Sequence, residues 1–141
     1  MNARQVDDQF AVSGQIAVED VAVVAAAGFR SMICNRPDGE SFDQTDYALI
    51  ATEAQRCGLE IRWQPVMSGH VSDEEGQAFG EIVAGLPGPV FAYCRSGTRC
   101  IVLWSLSQAG HLSTSDIIAA AAAAGYDLSA LAPRLESLAA R

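Results

Sequence analysis

The chain has no lysine: its nine basic residues are all arginine, set against seventeen acidic ones for a net charge of −8 in 141 residues. No basic run occurs, so the clustered cations that neutralise nucleic-acid phosphates or dock on an anionic membrane are missing, and neither partner is expected. Long apolar runs are absent too; nothing approaches the roughly eighteen residues of a membrane-spanning helix. The opening Met1-Asn2-Ala3-Arg4-Gln5-Val6-Asp7-Asp8 has no apolar centre of a signal peptide, and the expected compartment is the cytoplasm. Histidine is limited to His70 and His111, and the four cysteines, at 34, 57, 94 and 100, are spaced unlike any zinc site. Neither a metal nor another cofactor is therefore expected, and in a reducing compartment the cysteines are free thiols. Charged residues are scarce, at 18% against 50% hydrophobic. That balance excludes disorder and supports one core without disulfides, so residues 1–141 are expected to form a single domain.

What is present is an alternation of helical and extended segments. Ala17 to Ala27 carries Glu19 and Asp20 in its first turn and stops at Gly28, as a helix does. Ser31-Met32-Ile33-Cys34 then reads as a buried strand running into the Pro37-Asp38-Gly39 turn. The phrase recurs with a helix over Asp43 to Cys57, Gly58, and a strand over Glu60 to Trp63. A third helix opens at Ser72, with Glu75 completing a capping box, and reaches Leu86 before Pro87-Gly88-Pro89 and the strand Val90-Phe91-Ala92-Tyr93. Strands alternating with such helices imply right-handed βαβ units and a parallel sheet, an α/β fold. Phe10 to Ser13 adds an edge strand, and helices over Thr98–Ala109, Ser115–Ala124 and Ser129–Ala140 complete the chain.

Cys94 follows an apolar strand and precedes a helix, which places it at the carboxyl edge of the sheet, where open α/β folds bind ligands. The loop Cys94-Arg95-Ser96-Gly97-Thr98-Arg99 has compact residues and a glycine where a tight turn must expose its amides. Successive amides capped by a helix N-terminus form a nest for an anion. The same field, with Arg95 and Arg99 beside it, favours thiolate; such thiols titrate roughly one to five units below the free value of about 8.5. Arg99 can grip an oxyanion through two parallel hydrogen bonds. A cysteine after a strand can equally be a small buried apolar residue; the glycine, two arginines and helix start set this one apart.

Four residues separate Cys94 from Arg99. Cysteine phosphatases of the tyrosine and dual-specificity type place one more there, enough to ring a phosphate, whereas this loop resembles that of rhodanese-type sulfurtransferases. Together with Val12-Ser13-Gly14-Gln15-Ile16, Asn35-Arg36-Pro37-Asp38-Gly39, Leu103-Trp104-Ser105-Leu106 and Ala124-Gly125-Tyr126-Asp127-Leu128, it resembles the phosphatase-like domain of beta-lactamase-hydrolase-like proteins, a family also labelled as sulfur transferases. The resemblance covers essentially the whole chain. It implies a three-layer, dual-specificity-phosphatase-like fold, with a mostly parallel sheet of four to five short strands between helices. It also implies a sulfurtransferase passing sulfane sulfur through a Cys94 persulfide, from thiosulfate or a persulfide to a thiol, with a sulfide-oxidising flavoprotein as a partner in some relatives. The alternatives are a phosphatase using the same Cys94 and Arg99, or a non-catalytic module that senses oxyanions or persulfides.

Several residues could support the loop. Relatives carry serine or threonine after the arginine; here Cys100, a weaker donor, stands there and places a second thiol near the first. It could pair with Cys94 or simply fill a small buried space, and Cys34, at a strand end, has the same two readings. A phosphatase needs a general acid from a neighbouring loop, a position open to His70 or Asp73, although the one also reads as a solvated loop residue and the other as a first-turn helix acid. Arg36 follows a strand end and could face the pocket with Asp38 pairing or capping nearby; otherwise Asn35 to Gly39 is a well-made turn.

Overall fold

The computed structural model describes residues 1–141. Its elements are strands β1 (Arg4–Asp7) and β2 (Phe10–Ser13), helix α1 (Val18–Ala26), β3 (Ser31–Cys34), α2 (Tyr47–Arg56), β4 (Glu60–Trp63), α3 (Asp73–Gly85), β5 (Val90–Tyr93), α4 (Thr98–Gln108), α5 (Thr114–Ala123), a 3₁₀ turn at Ser129–Leu131, and α6 (Ala132–Ala139). The five strands form one sheet in the order β1-β2-β5-β3-β4, parallel throughout except for the β1–β2 hairpin.

The side-chain period of two along each strand sorts the core into two halves. Phe10, Val12, Ile33, Val90 and Ala92 face a layer that includes Phe79, Ile101, Leu103, Trp104, Ile117 and Leu135 from α3 to α6. Ala11, Met32, Phe91 and Tyr93 face Val21 and Val24 of α1 and Ile50 and Ala54 of α2. Phe10 anchors the first half, stacked on Trp104 with centroids 6.3 Å apart and edge-on to Phe79 at 5.8 Å. Such pairs contribute about 0.5–1.5 kcal/mol each beyond their burial. The result is the expected three-layer α/β arrangement.

Two elements depart from the sequence reading. β2 is an interior strand, not an edge, because β1 pairs along its outer side. β1 escapes notice because Arg4-Gln5-Val6-Asp7 is polar and almost wholly exposed; its hairpin turn is fixed by Gln9 donating its amide to Asp7 Oδ1 at 2.8 Å. Helix α2 begins at Tyr47, four residues after the expected Asp43. Gln44 is occupied elsewhere, its side chain donating to Pro37 O and accepting from Glu40 N, so this stretch braces the preceding loop instead of starting a helix. By contrast, the Ser72–Glu75 capping box forms reciprocally at 3.0 and 2.9 Å.

Register decides where the site lies. β2 and β3 both flank β5 with their last residues level: Ser13 and Cys34 are each paired with Tyr93. The segments that follow, Gly14-Gln15, Asn35-Arg36 and Cys94-Arg95, therefore leave the sheet side by side.

Candidate active site

Backbone hydrogen bonds continue this alignment past the strand ends. Cys94 N donates to Ser13 O at 3.2 Å, Asn35 N to Tyr93 O at 2.8 Å, and Gln15 N to Arg95 O at 3.2 Å. Gly14 lies against the loop so closely that a Cβ there would sit 2.9 Å from Arg95 O. Gly97 turns the loop into α4 with φ +89°, in the left-handed region that glycine tolerates. A side chain at Gly97 would also collide with the Tyr126 hydroxyl, which donates to Ser96 O at 2.8 Å. The loop is thus held from the β2 side by Gly14 and Gln15 and from the C-terminal third by Tyr126.

Cys94 is fully buried at the floor of this loop. Burial alone raises a thiol's pKa, yet that of Cys94 is lowered to about 5. The Cys100 thiol is the foremost cause, followed by hydrogen bonds from the amides of Cys100, Ser96 and Gly97. The Gly97 amide stands 3.1 Å from the sulfur. Cys100 is pushed well above its ordinary value, first by burial and then by the neighbouring Cys94 sulfur. The two neighbouring thiols are thus driven in opposite directions, Cys94 toward the thiolate and Cys100 toward the protonated form. Cys34, on the other face of the sheet, is raised to about 11, chiefly by burial.

Arg99, only 5% exposed, is fixed by three hydrogen bonds. Nη1 donates to Glu40 Oε2 at 2.8 Å and to Val66 O at 3.0 Å, and Nη2 to Glu40 Oε1 at 2.9 Å. A guanidinium has five N–H groups. The two left over, on Nε and Nη2, share one edge and form a second fork. Arg99 is thus gripped end-on by protein and keeps its side edge for an anion.

Glu40 is the residue that sequence reasoning missed. Besides Arg99, it accepts from Arg36 Nε at 2.9 Å, and these partners, Arg99 foremost, lower its carboxyl pKa to about 2. Arg36 is also buried and donates to Gln15 Oε1 at 3.0 Å and Ser41 Oγ at 3.3 Å. It acts on the loop through Glu40, without touching it. Asp38 caps α2 by accepting from Tyr47 N at 2.8 Å. Asp73 is bound by Arg134, whose Nε donates to its Oδ1 at 2.6 Å. His70 is exposed, its amide donating to Met67 O. Cys94, Arg95, Ser96, Gly97, Thr98, Arg99 and Cys100 are together; Arg36 stands behind them; Asp38, His70 and Asp73 make their contacts elsewhere. A glutamate after a Pro-Asp-Gly turn gave no signal, and Tyr126 stood out only as part of the Ala124–Leu128 motif that carries the family resemblance, with no role attached to it.

Beside the loop lies a cleft of about 280 Å³ lined by Arg95, Ser96, Thr98 and Arg99 on one side and by Ser68, Gly69, Val71, Val102, Leu131 and Arg134 on the other. The arrangement offers a thiolate nucleophile, an amide nest and an arginine fork, the equipment for forming a covalent adduct with an oxyanionic substrate.

Comparison with known proteins places the family and the fold. The chain is 33% identical over 138 residues to the beta-lactamase hydrolase-like protein of Agrobacterium fabrum, a match covering 96% of this chain and 32% of that protein. It is 32% identical over 130 residues to the protein of the same description in Xylella fastidiosa, covering 91% of this chain and 30% of the relative. The chain thus spans about a third of the length of the curated relatives it matches. Among solved structures, a candidate phosphatase from Neisseria meningitidis superposes with a TM-score of 0.87 at 32% identity, covering 98% of this chain and 99% of that one. The core catalytic domain of a PP-IP phosphatase from S. cerevisiae shares the fold at a TM-score of 0.64 and 14% identity, covering 95% and 82%. The profile of the beta-lactamase hydrolase-like protein, phosphatase-like domain family matches residues 2–111, and with a cysteine-phosphatase-like fold built around Cys94 the chain belongs to that family.

Proposed function

We propose that the domain is a cysteine-dependent sulfurtransferase. The observation that carries this reading is that the carboxylates beside the loop are held in ion pairs. Glu40, the carboxylate bound to Arg99, is held ionised, and Asp73 is taken by Arg134. Cleaving an alkyl phosphate expels an alkoxide that needs a proton from a positioned acid. Sulfane-sulfur transfer expels sulfite or a thiolate, which leaves as an anion unaided. The four-residue spacing between Cys94 and Arg99 supports the same reading, since a tighter ring suits a terminal sulfur better than a tetrahedral phosphoryl group.

In the first step the Cys94 thiolate attacks the outer sulfur of thiosulfate. The S–S bond of the donor breaks, sulfite departs with the bonding pair, and Cys94 carries a persulfide anion. The Arg99 side edge and the amides of the loop hold the donor's oxyanion and the charge on the adduct. In the second step an acceptor thiolate attacks the outer sulfur, leaves as a persulfide, and restores the Cys94 thiolate. The second reading, phosphomonoester hydrolysis through a Cys94 phosphoenzyme, is favoured by the likeness to the Neisseria structure.

The deciding experiment is intact and peptide mass spectrometry after incubation with thiosulfate, run in parallel with a chromogenic phosphate ester. Cys94 is expected to gain the mass of one sulfur atom, removable by cyanide. Sustained phosphate release with no sulfur on Cys94 would replace transfer by hydrolysis.

A further inference from the structure

The cleft beside the loop has a charge unlike the rest of the molecule. Three of its ten lining residues are arginines and none is acidic, in a chain whose net charge is −8. Arg99 is offset by Glu40 from behind and Arg134 by Asp73. Arg95 is exposed and stands outside all six ion pairs of the chain. Its charge is uncompensated at the mouth of the cleft.

Arg134 is aimed by its own contacts. Nε donates to Asp73 Oδ1 at 2.6 Å and Nη2 to Val71 O at 2.8 Å. Of its five N–H groups, the pair on Nη1 and the second on Nη2 remain, and the end-on edge they form matches the bidentate geometry of a carboxylate. Asp73 and Val71 thereby hold the guanidinium in place, so little side-chain entropy remains to be lost when an anion binds. Val71, Val102 and Leu131 supply the apolar part of the lining.

Resting on the sulfurtransferase reading, we infer that this cleft is the acceptor subsite, selecting a small thiol that carries a carboxylate, which Arg95 and Arg134 bind while its methylene stem lies on Val71, Val102 and Leu131. The cleft shares Ser96, Thr98 and Arg99 with the loop, so a bound acceptor lies next to the persulfide. A volume of about 280 Å³ falls at the small end of ligand pockets, which suits a low-molecular-weight acid and not a protein thiol. The acceptor's thiolate attacks the outer sulfur of the Cys94 persulfide, the Cys94–sulfur bond breaks, and the thiol's proton goes to solvent.

The test uses protein first loaded with sulfur from thiosulfate and freed of donor, so that only the second step is timed. Loss of sulfur from Cys94 is followed with 3-mercaptopropionate and with its uncharged amide, in the wild type and in Arg95→Gln and Arg134→Gln. The ratio of the carboxylate rate to the amide rate should fall at least about fivefold in each variant, and added salt should lower that ratio in the wild type. Ratios unchanged in both variants would overturn the subsite while leaving sulfur transfer intact. A wild type that never gains sulfur would overturn the sulfurtransferase reading and the acceptor assignment with it. Arg95→Gln removes no internal ion pair, so its result stands even if Arg134→Gln, which takes from Asp73 the nearer of its two arginine partners, folds poorly.

Discussion

Cys94 lies in surroundings that would ordinarily keep a thiol protonated, and a second thiol helps reverse that. The Cys100 thiol is the first cause of the lowered Cys94 pKa, ahead of the backbone amides. Substituting Cys100→Ala removes that donor and leaves the amides, so the Cys94 titration should move upward from about 5. Cys100→Ser retains a hydroxyl donor and should restore most of the shift. Rates of Cys94 alkylation by iodoacetamide across pH read this directly; identical profiles for wild type and Cys100→Ala would remove Cys100 from the site. The sequence marked Cys100 as the residue standing where relatives carry a hydroxyl. It could not reveal which way the side chain points, because that depends on how α4 rests on the sheet.

Among the elements, β5 leads into Cys94, α4 bears Arg99 and Cys100, and α3 sets where α4 lies. The two helices meet at Gly76, where a Cβ would stand 2.6 Å from Leu106 Cβ. Replacing Gly76 with alanine must push the helices apart or displace Leu106, and such overpacking costs about 1–3 kcal/mol. Urea denaturation should show that loss. Since Arg99 and Cys100 ride on the first turn of α4, Cys94 alkylation at constant pH should also slow. A variant as stable and reactive as wild type would mean that α3 and α4 adjust to each other freely. The Ser72–Glu75 box and Pro87-Gly88-Pro89 foretold α3, and the segment ending at Gly110 foretold α4. Their contact at Gly76 was not foretold, since a glycine within a helical segment carries no record of its neighbour.

At the scale of the whole molecule, Glu40 joins the segment after β3 to the segment after β5 through Arg36 and Arg99. Its carboxyl titrates at about 2 in the fold against an ordinary 4.5. The folded state therefore holds this proton more weakly than the unfolded chain does. The contribution is complete above about 4.5, fades as pH falls, and is lost toward about 2. Glu40→Gln leaves two buried guanidinium groups without their shared anion, and near neutral pH should cost about 2–3 kcal/mol. The stability gap between wild type and Glu40→Gln, measured by denaturant titration at several pH values, should narrow as pH falls through that window. A gap independent of pH would show that the carboxylate charge is not what ties the two segments.

The sequence by itself determined the strand–helix frame and the tight turn after β5, because both are written locally. Alternating apolar segments, caps and glycines specify elements within a dozen residues. Gly97, between Cys94 and Arg99, specifies the tight turn into α4 in the same way. Tertiary structure decided the rest: Glu40 on Arg99, 59 positions apart, Tyr126 on Ser96, 30 apart, and Arg134 on Asp73, 61 apart. It also decided that polar β1 closes the sheet edge, and that Asp73 serves an ion pair. Such contacts arise from the level register of β2, β3 and β5 and from helices packed across them. No local pattern records them, because the residues involved meet only once the sheet has been assembled.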